Sequence, residues 1–98
     1  MTTGEQRLQL RLYLACESPN SVAALANVRK LLADHPLRPV DFEVIDVLQD
    51  PERGLQAGIL MTPMLVRIAP APERRILGSL RDRAMLMGLL AMRGADGE

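Results

Sequence analysis

Cys16, His35, the acidic residues Asp41, Glu43 and Asp46, and the arginines at 67, 74, 75, 81 and 83 are the side chains of this chain best equipped for chemistry. A dithiol redox site needs a low-pKa thiol at a helix start, usually within C-x-x-C. Here the run is Cys16-Glu17-Ser18-Pro19, with proline at the second-cysteine position. Cys16 is the only cysteine, which excludes an internal disulfide and a multi-cysteine zinc site. Glu17 works against a thiolate and the positive helix end works for it, so redox chemistry through Cys16 stands as the alternative to a small, buried structural cysteine. His35 is the sole histidine, so no histidine metal cluster is available; near a helix C-terminus it suits the surface. Asp41, Glu43 and Asp46 read as a solvated strand edge. No nucleophile–base pair, phosphate loop or metal-ligand spacing emerges, so no catalytic residue, metal site or cofactor is assigned and a non-enzymatic protein is expected. Arg67, Arg74 and Arg75 are expected to converge on one hairpin, with Arg81 and Arg83 just beyond. Clustered guanidinium groups on a stiff hairpin suit an acidic protein surface. Nucleic acid is not expected, because one Tyr, one Phe and no Trp leave no stacking platform and the net charge is zero.

The elements that must carry these residues follow from periodicity. Leu8, Leu10, Leu12 and Leu14 alternate with Gln9, Arg11 and Tyr13, which predicts a strand with one strongly apolar face. Ser18-Pro19 is a helix start, a cap followed by a first-turn proline. Val22, Leu25, Val28, Leu31 and Leu32 then predict an amphipathic helix to Ala33. A second strand is expected over Val40 to Leu48, apolar on both faces at its end, as when helices cover both sides of a sheet. Asp50-Pro51-Glu52 repeats the cap-and-proline start and opens a short helix towards Ala57, weakened by Gly54 and Gly58. A third strand runs from Met64 to Ile68. Pro70-Ala71-Pro72 is a stiff connection to a fourth at Arg75 to Leu77. Ser79 with Asp82 three residues on resembles a capping box for a last helix reaching about Met92.

The resulting order is β-α-β-α-β-β-α, with a right-handed crossover giving parallel first and second strands and a hairpin joining the third and fourth. This is a thioredoxin-like α/β order with a mixed four-stranded sheet. In it the proline opening the third strand is typically cis, so Pro63 is expected to be cis. Met61 and Met64 bracket Pro63, and Met85, Met87 and Met92 lie in the last helix, a density that suits a core or an adaptable contact surface.

Ninety-eight residues, 48% hydrophobic and 24% charged, suit a single globular domain over 1–98 with frayed ends at about 1–6 and 94–98. Twelve basic residues balance twelve acidic ones. No apolar run approaches a membrane span and no signal peptide is visible, so a soluble cytoplasmic protein is expected.

Several runs resemble the KaiB family of clock proteins: Leu12-Tyr13-Leu14-Ala15, Ser18-Pro19-Asn20-Ser21-Val22, Val44-Ile45-Asp46-Val47-Leu48, Thr62-Pro63, and Pro70 and Pro72 leading into Arg74-Arg75-Ile76 and Gly78. The likeness extends from about Leu8 to Leu90. It implies a non-enzymatic partner of KaiC, a hexameric ATPase, with a thioredoxin-like binding state and a self-associated state, a dimer or tetramer, whose C-terminal half is rearranged. On that resemblance the partner-binding residues are Met61, Thr62, Pro63, Met64, Arg67, Arg74, Arg75 and Arg83. Pro63, Gly78, Gly88 and Leu89 are the positions of a structural switch, with the thioredoxin-like state favoured here. A histidine-kinase sensor domain shares this fold and partner. Cys16 stands where relatives commonly carry Gly, Glu43 where a basic residue is usual, and Gly58 where Lys is frequent. The long acidic tail of cyanobacterial members is missing. These departures imply a non-cyanobacterial member acting with a KaiC homologue alone, without KaiA.

Overall fold

The alternating leucines form the centre of the sheet. The computed structural model describes residues 7–15, 18–34 and 39–91. The elements are β1 (Leu8–Leu14), α1 (Pro19–Asp34), β2 (Val40–Asp46), α2 (Pro51–Gln56), β3 (Met64–Ala69), β4 (Arg74–Leu77) and α3 (Arg83–Ala91). The strand order is β2-β1-β3-β4, with β1 parallel to β2 and antiparallel to β3, and β3 antiparallel to β4. The expected thioredoxin-like order is therefore the observed one.

Period two divides the sheet into unequal faces. On one, Leu8, Leu10, Leu12, Leu14 and Leu65 pack with Ala24, Val28 and Leu31 of α1 and with Leu80, Leu86 and Leu89 at and before α3. Full burial of such aliphatic side chains contributes about 1.5–3 kcal/mol each, which makes this face the main source of stability. The other face, towards α2, has a small core of Tyr13, Ile45 and Val66.

Local chemistry explains the boundaries. Ser18 caps α1, its Oγ accepting from the Ser21 N–H at 3.3 Å and its carbonyl from the Val22 N–H at 3.0 Å. The buried stripe of α1 is Ser21, Ala24, Val28 and Leu31, one position away from the expected stripe at its start: Val22 points to solvent. Small residues are needed there because α1 begins close to the end of β1, where the Ser21 Oγ accepts from the Ala15 N–H at 3.0 Å.

β2 ends at Asp46, two residues before the expected Leu48. The Asp46 carboxylate accepts from the Leu48 N–H at 2.9 Å and its carbonyl accepts from Gln49 and Asp50, which turns the chain before its apolar run is finished. Pro51 opens α2 as predicted, but Asp50 makes no side-chain capping bond. At the other end the Gly58 N–H bonds to the Leu55 carbonyl at 3.0 Å and the Ile59 N–H to the Gly54 carbonyl at 2.9 Å, with Gly58 at φ 70°. This paired closure requires a left-handed residue, which is why glycine stops the helix there.

β3 and β4 are each one residue longer than expected, to Ala69 and from Arg74. The cap of α3 is Asp82 and not Ser79: the Asp82 Oδ1 accepts from the Met85 N–H at 3.0 Å and its carbonyl from the Leu86 N–H. Ser79 instead gives its carbonyl to Asn27 of α1. Met92 lies outside the described residues.

Candidate partner-binding surface

The loop between α2 and β3 presents the most exposed large apolar side chain of the described residues, Leu60, with Met61 beside it. Leu60 is 91% exposed and Met61 60%. Pro63, two residues on, is buried, and its peptide bond with Thr62 is cis, as the element order predicts; Ala69–Pro70 and Ala71–Pro72 are cis as well. The Pro63 carbonyl accepts from the Gly78 N–H at 2.9 Å, and Met64 pairs with Leu77 across β3 and β4. Leu77, itself half exposed, therefore adjoins the loop, whereas Met64 turns partly into the core under α2. Leu48 before α2 and Leu55 on it are also exposed. Sequence reading missed Leu48, Leu55 and Leu77 as surface residues. Only the lone leucine in the polar run Pro51–Gln56 carried a signal, since a single apolar residue on so short a helix need not face the sheet.

The five arginines do not form one cluster. Arg67 is fully buried. It pairs with Leu10 and Arg74 in the sheet and points towards α1 and α3, where its Nη1 donates to the Leu89 carbonyl at 3.0 Å and its Nη2 to the Pro72 carbonyl at 2.8 Å. The expectation that Arg67 belongs to an accessible hairpin patch is thus corrected. Its parity with Leu65 was the signal available in the sequence. Arg74 and Arg75 are adjacent on a strand and so face opposite sides of the sheet. Arg75 lies against α2, donating to the Ala57 carbonyl at 2.7 Å and to Glu73 at 2.9 Å. A cation over these last carbonyls complements the negative helix end. Arg83 reaches Asp34 of α1 at 2.7 Å. Arg74 and Arg81 are exposed and make no ion pair among the described residues.

Two of the three acidic residues of β2, Asp41 and Glu43, are ion-paired. Glu43 accepts from both terminal nitrogens of Arg53 in α2, one at 3.0 Å, and lies 3.4 Å from Arg11, its register partner on β1. The hydrogen-bonded Arg53 guanidinium holds the Glu43 carboxyl below its ordinary value, against a smaller opposing effect of burial. The same bond raises Arg53. An acid at position 43 therefore fastens α2 to the sheet. Asp41 pairs with Arg7 at 3.4 Å.

Gly78, at φ 113°, and Gly88 and Leu89 of α3 are the remaining expected switch positions. Gly88 is exposed and Leu89 buried. Cys16 and His35 lie outside the described residues. Among the described residues no group of three or more His, Cys, Asp or Glu converges, and no helix is long and apolar enough to cross a membrane.

The model of the KaiB domain matches residues 11–92. The chain belongs to the KaiB family. A circadian clock oscillator protein KaiB from Synechococcus sp. strain RCC307 is 44% identical over 81 residues, covering 82% of this chain and 74% of that protein. Among solved structures, the N-terminal domain of SasA from Synechococcus elongatus superposes with a TM-score of 0.72 at 26% identity, covering 95% of this chain and 91% of that one. Thioredoxin from Fasciola hepatica gives 0.69 at 22% identity over 83% and 77% of the two chains, a likeness of fold alone. This KaiB family member thus combines a thioredoxin-like sheet with proline where a redox pair would carry its second cysteine.

Proposed function

We propose that this chain is a non-enzymatic clock or signalling module that docks onto a KaiC-type hexameric ATPase and modulates its cycle. The docking surface is the Met61-Thr62-Pro63-Met64 loop, with Arg74 and Arg75 of the hairpin and α3 with Arg83 beside it. One observation carries the reading: Leu60, Met61 and Leu77 form an exposed apolar rim on a buried proline turn, with Arg74 and Arg75 on the adjoining strand. Exposed apolar side chains bordered by cations are what a partner with an apolar centre and acidic margin would cover. KaiB family membership supplies the partner class. Rearrangement of the C-terminal half around Pro63, Gly78, Gly88 and Leu89, with self-association, belongs to the same proposal. Arg67, being buried, is given no direct contact.

The test is equilibrium binding to a purified KaiC-type ATPase hexamer. Met61→Asp and the double variant Arg74→Glu/Arg75→Glu should each weaken binding at least tenfold with an unchanged far-UV circular dichroism spectrum. Binding at wild-type strength by both variants would remove this surface from the function. Arg74→Glu and Arg75→Glu taken singly then separate the two sides of the sheet.

A further inference from the structure

Arg67 is a cation placed on the leucine-lined face of the sheet, and its hydrogen bonds join two segments, α3 and the connection from β3 to β4. Leu89 lies in the last turn of α3 as described, Arg83–Ala91. α3 has no basic residue of its own in its last turn. The Arg67 guanidinium donates to the Leu89 carbonyl from β3, placing positive charge towards the negative, C-terminal end of the helix. Its other terminal nitrogen holds the Pro72 carbonyl in the connection to β4. A buried cation is seldom the most stabilising choice, since an apolar side chain of similar volume often serves as well; what it adds is direction. The planar fork fixes both acceptors at once, which neither lysine nor methionine can do.

α3 needs such fixing. Its nine described residues, Arg83–Ala91, are few for a helix to hold itself in water, and Gly88 lies within it. Its described buried side chains are Leu86 and Leu89.

We propose that Arg67 is a clasp that makes α3 and the Pro70–Pro72 connection a single docked unit. A change in either segment passes to the other through the guanidinium, and without it α3 loosens from the sheet while β1, α1 and β2 keep their structure. This assignment concerns the chain alone and does not depend on the identity of any partner.

Amide hydrogen exchange and NMR shifts on the full chain test it. In Arg67→Met, amides of residues 87–91 should exchange at least tenfold faster, those of β1 and α1 should change less than twofold, and the Ala71 and Glu73 amide resonances should shift. Arg67→Lys, which keeps the charge but loses the fork, should fall between. Leu86→Ala, which loosens α3 without touching the clasp, should shift Ala71 and Glu73 in the wild-type background and leave them unmoved when Arg67 is already Met. Unchanged exchange over 87–91 would overturn the clasp. So would a uniform loss of protection across the chain in Arg67→Lys, which also decides the matter if Arg67→Met does not fold. Loosening of α3 with Ala71 and Glu73 unmoved would overturn the coupling.

Discussion

α1 and α3 cover the same face of the sheet and are attached to it by different means. α1 is sixteen residues long and presents Ser21, Ala24, Val28 and Leu31 as a continuous buried stripe, with a proline and a serine cap at its start. α3, described over nine residues, adds only Leu86 and Leu89 to the core among its described side chains and is further held by fastenings: Asn27 to the Ser79 carbonyl before it, Arg83 to Asp34, and Arg67 to the Leu89 carbonyl. Apolar burial is non-directional and large, whereas each hydrogen bond contributes only about 0.5–1.5 kcal/mol net but fixes a geometry. The first helix is therefore part of the cooperative core, and the last is a positioned attachment. Regions held in the second way are those that open most readily.

Cutting into the α1 stripe should have the largest effect. Leu31→Ala removes a side chain that is 1% exposed. It should cost about 3 kcal/mol, visible as one cooperative shift of the urea midpoint by every probe. If α3 and α1 were equally integral, Asp82→Ala would behave the same way. It should instead lower the stability of α3 alone by about 1 kcal/mol through the lost cap, read as faster exchange over the amides of α3 with β1 unaffected. Gly88→Ala should move α3 in the opposite direction. A methyl at Gly88 meets nothing within 4 Å, so the helix should gain about 0.5–1 kcal/mol from reduced backbone freedom, seen as slower exchange in the same amides.

The smallest expected effect concerns α2, the remaining helix, attached on the other face by Arg53 and Glu43. The folded-state value of Glu43 is depressed, so its contribution is present above the unfolded glutamate value and is lost as pH falls through the folded one. A slight loosening of α2 should therefore set in below about pH 4. In a urea series at descending pH, Glu43→Gln should lack this step. The pair is half exposed, so added salt should shrink it.

The outline of the fold was legible in the sequence because its signals are local. The leucine alternation of β1, the Ser18-Pro19 start of α1 and the Gly58 stop after α2 are each written in a few neighbouring residues. What escaped was set by distant partners. An exception is local: Val47 and Leu48 look like the end of a strand, but the Asp46 side chain and carbonyl close a turn over Leu48 to Asp50. Ser79 has the right spacing to cap α3, but its carbonyl is engaged by Asn27, 52 residues away in sequence. Arg67 was assigned to the surface by its charge, although its parity with Leu65 placed it under α3. Arg74 and Arg75 look like one site in a line of text, and a strand sends them to opposite sides. Of the candidate surface, the exposure of Met61 matched its place in the loop before β3, while that of Leu48, Leu55 and Leu77 was not read from the sequence.

Leu80 narrows what evolution can write at the approach to α3. It sits at φ 64°, in the left-handed region that glycine or asparagine occupies with least strain, yet its side chain is buried in the leucine core. Glycine would relax the backbone and empty the core; valine or isoleucine would fill part of the space and clash with the backbone angle. Asparagine would accept the angle and bury an amide among hydrocarbons. An unbranched-at-Cβ, bulky aliphatic residue is the narrow solution, so substitutions at position 80 should be tolerated far less than those at its exposed neighbour Arg81.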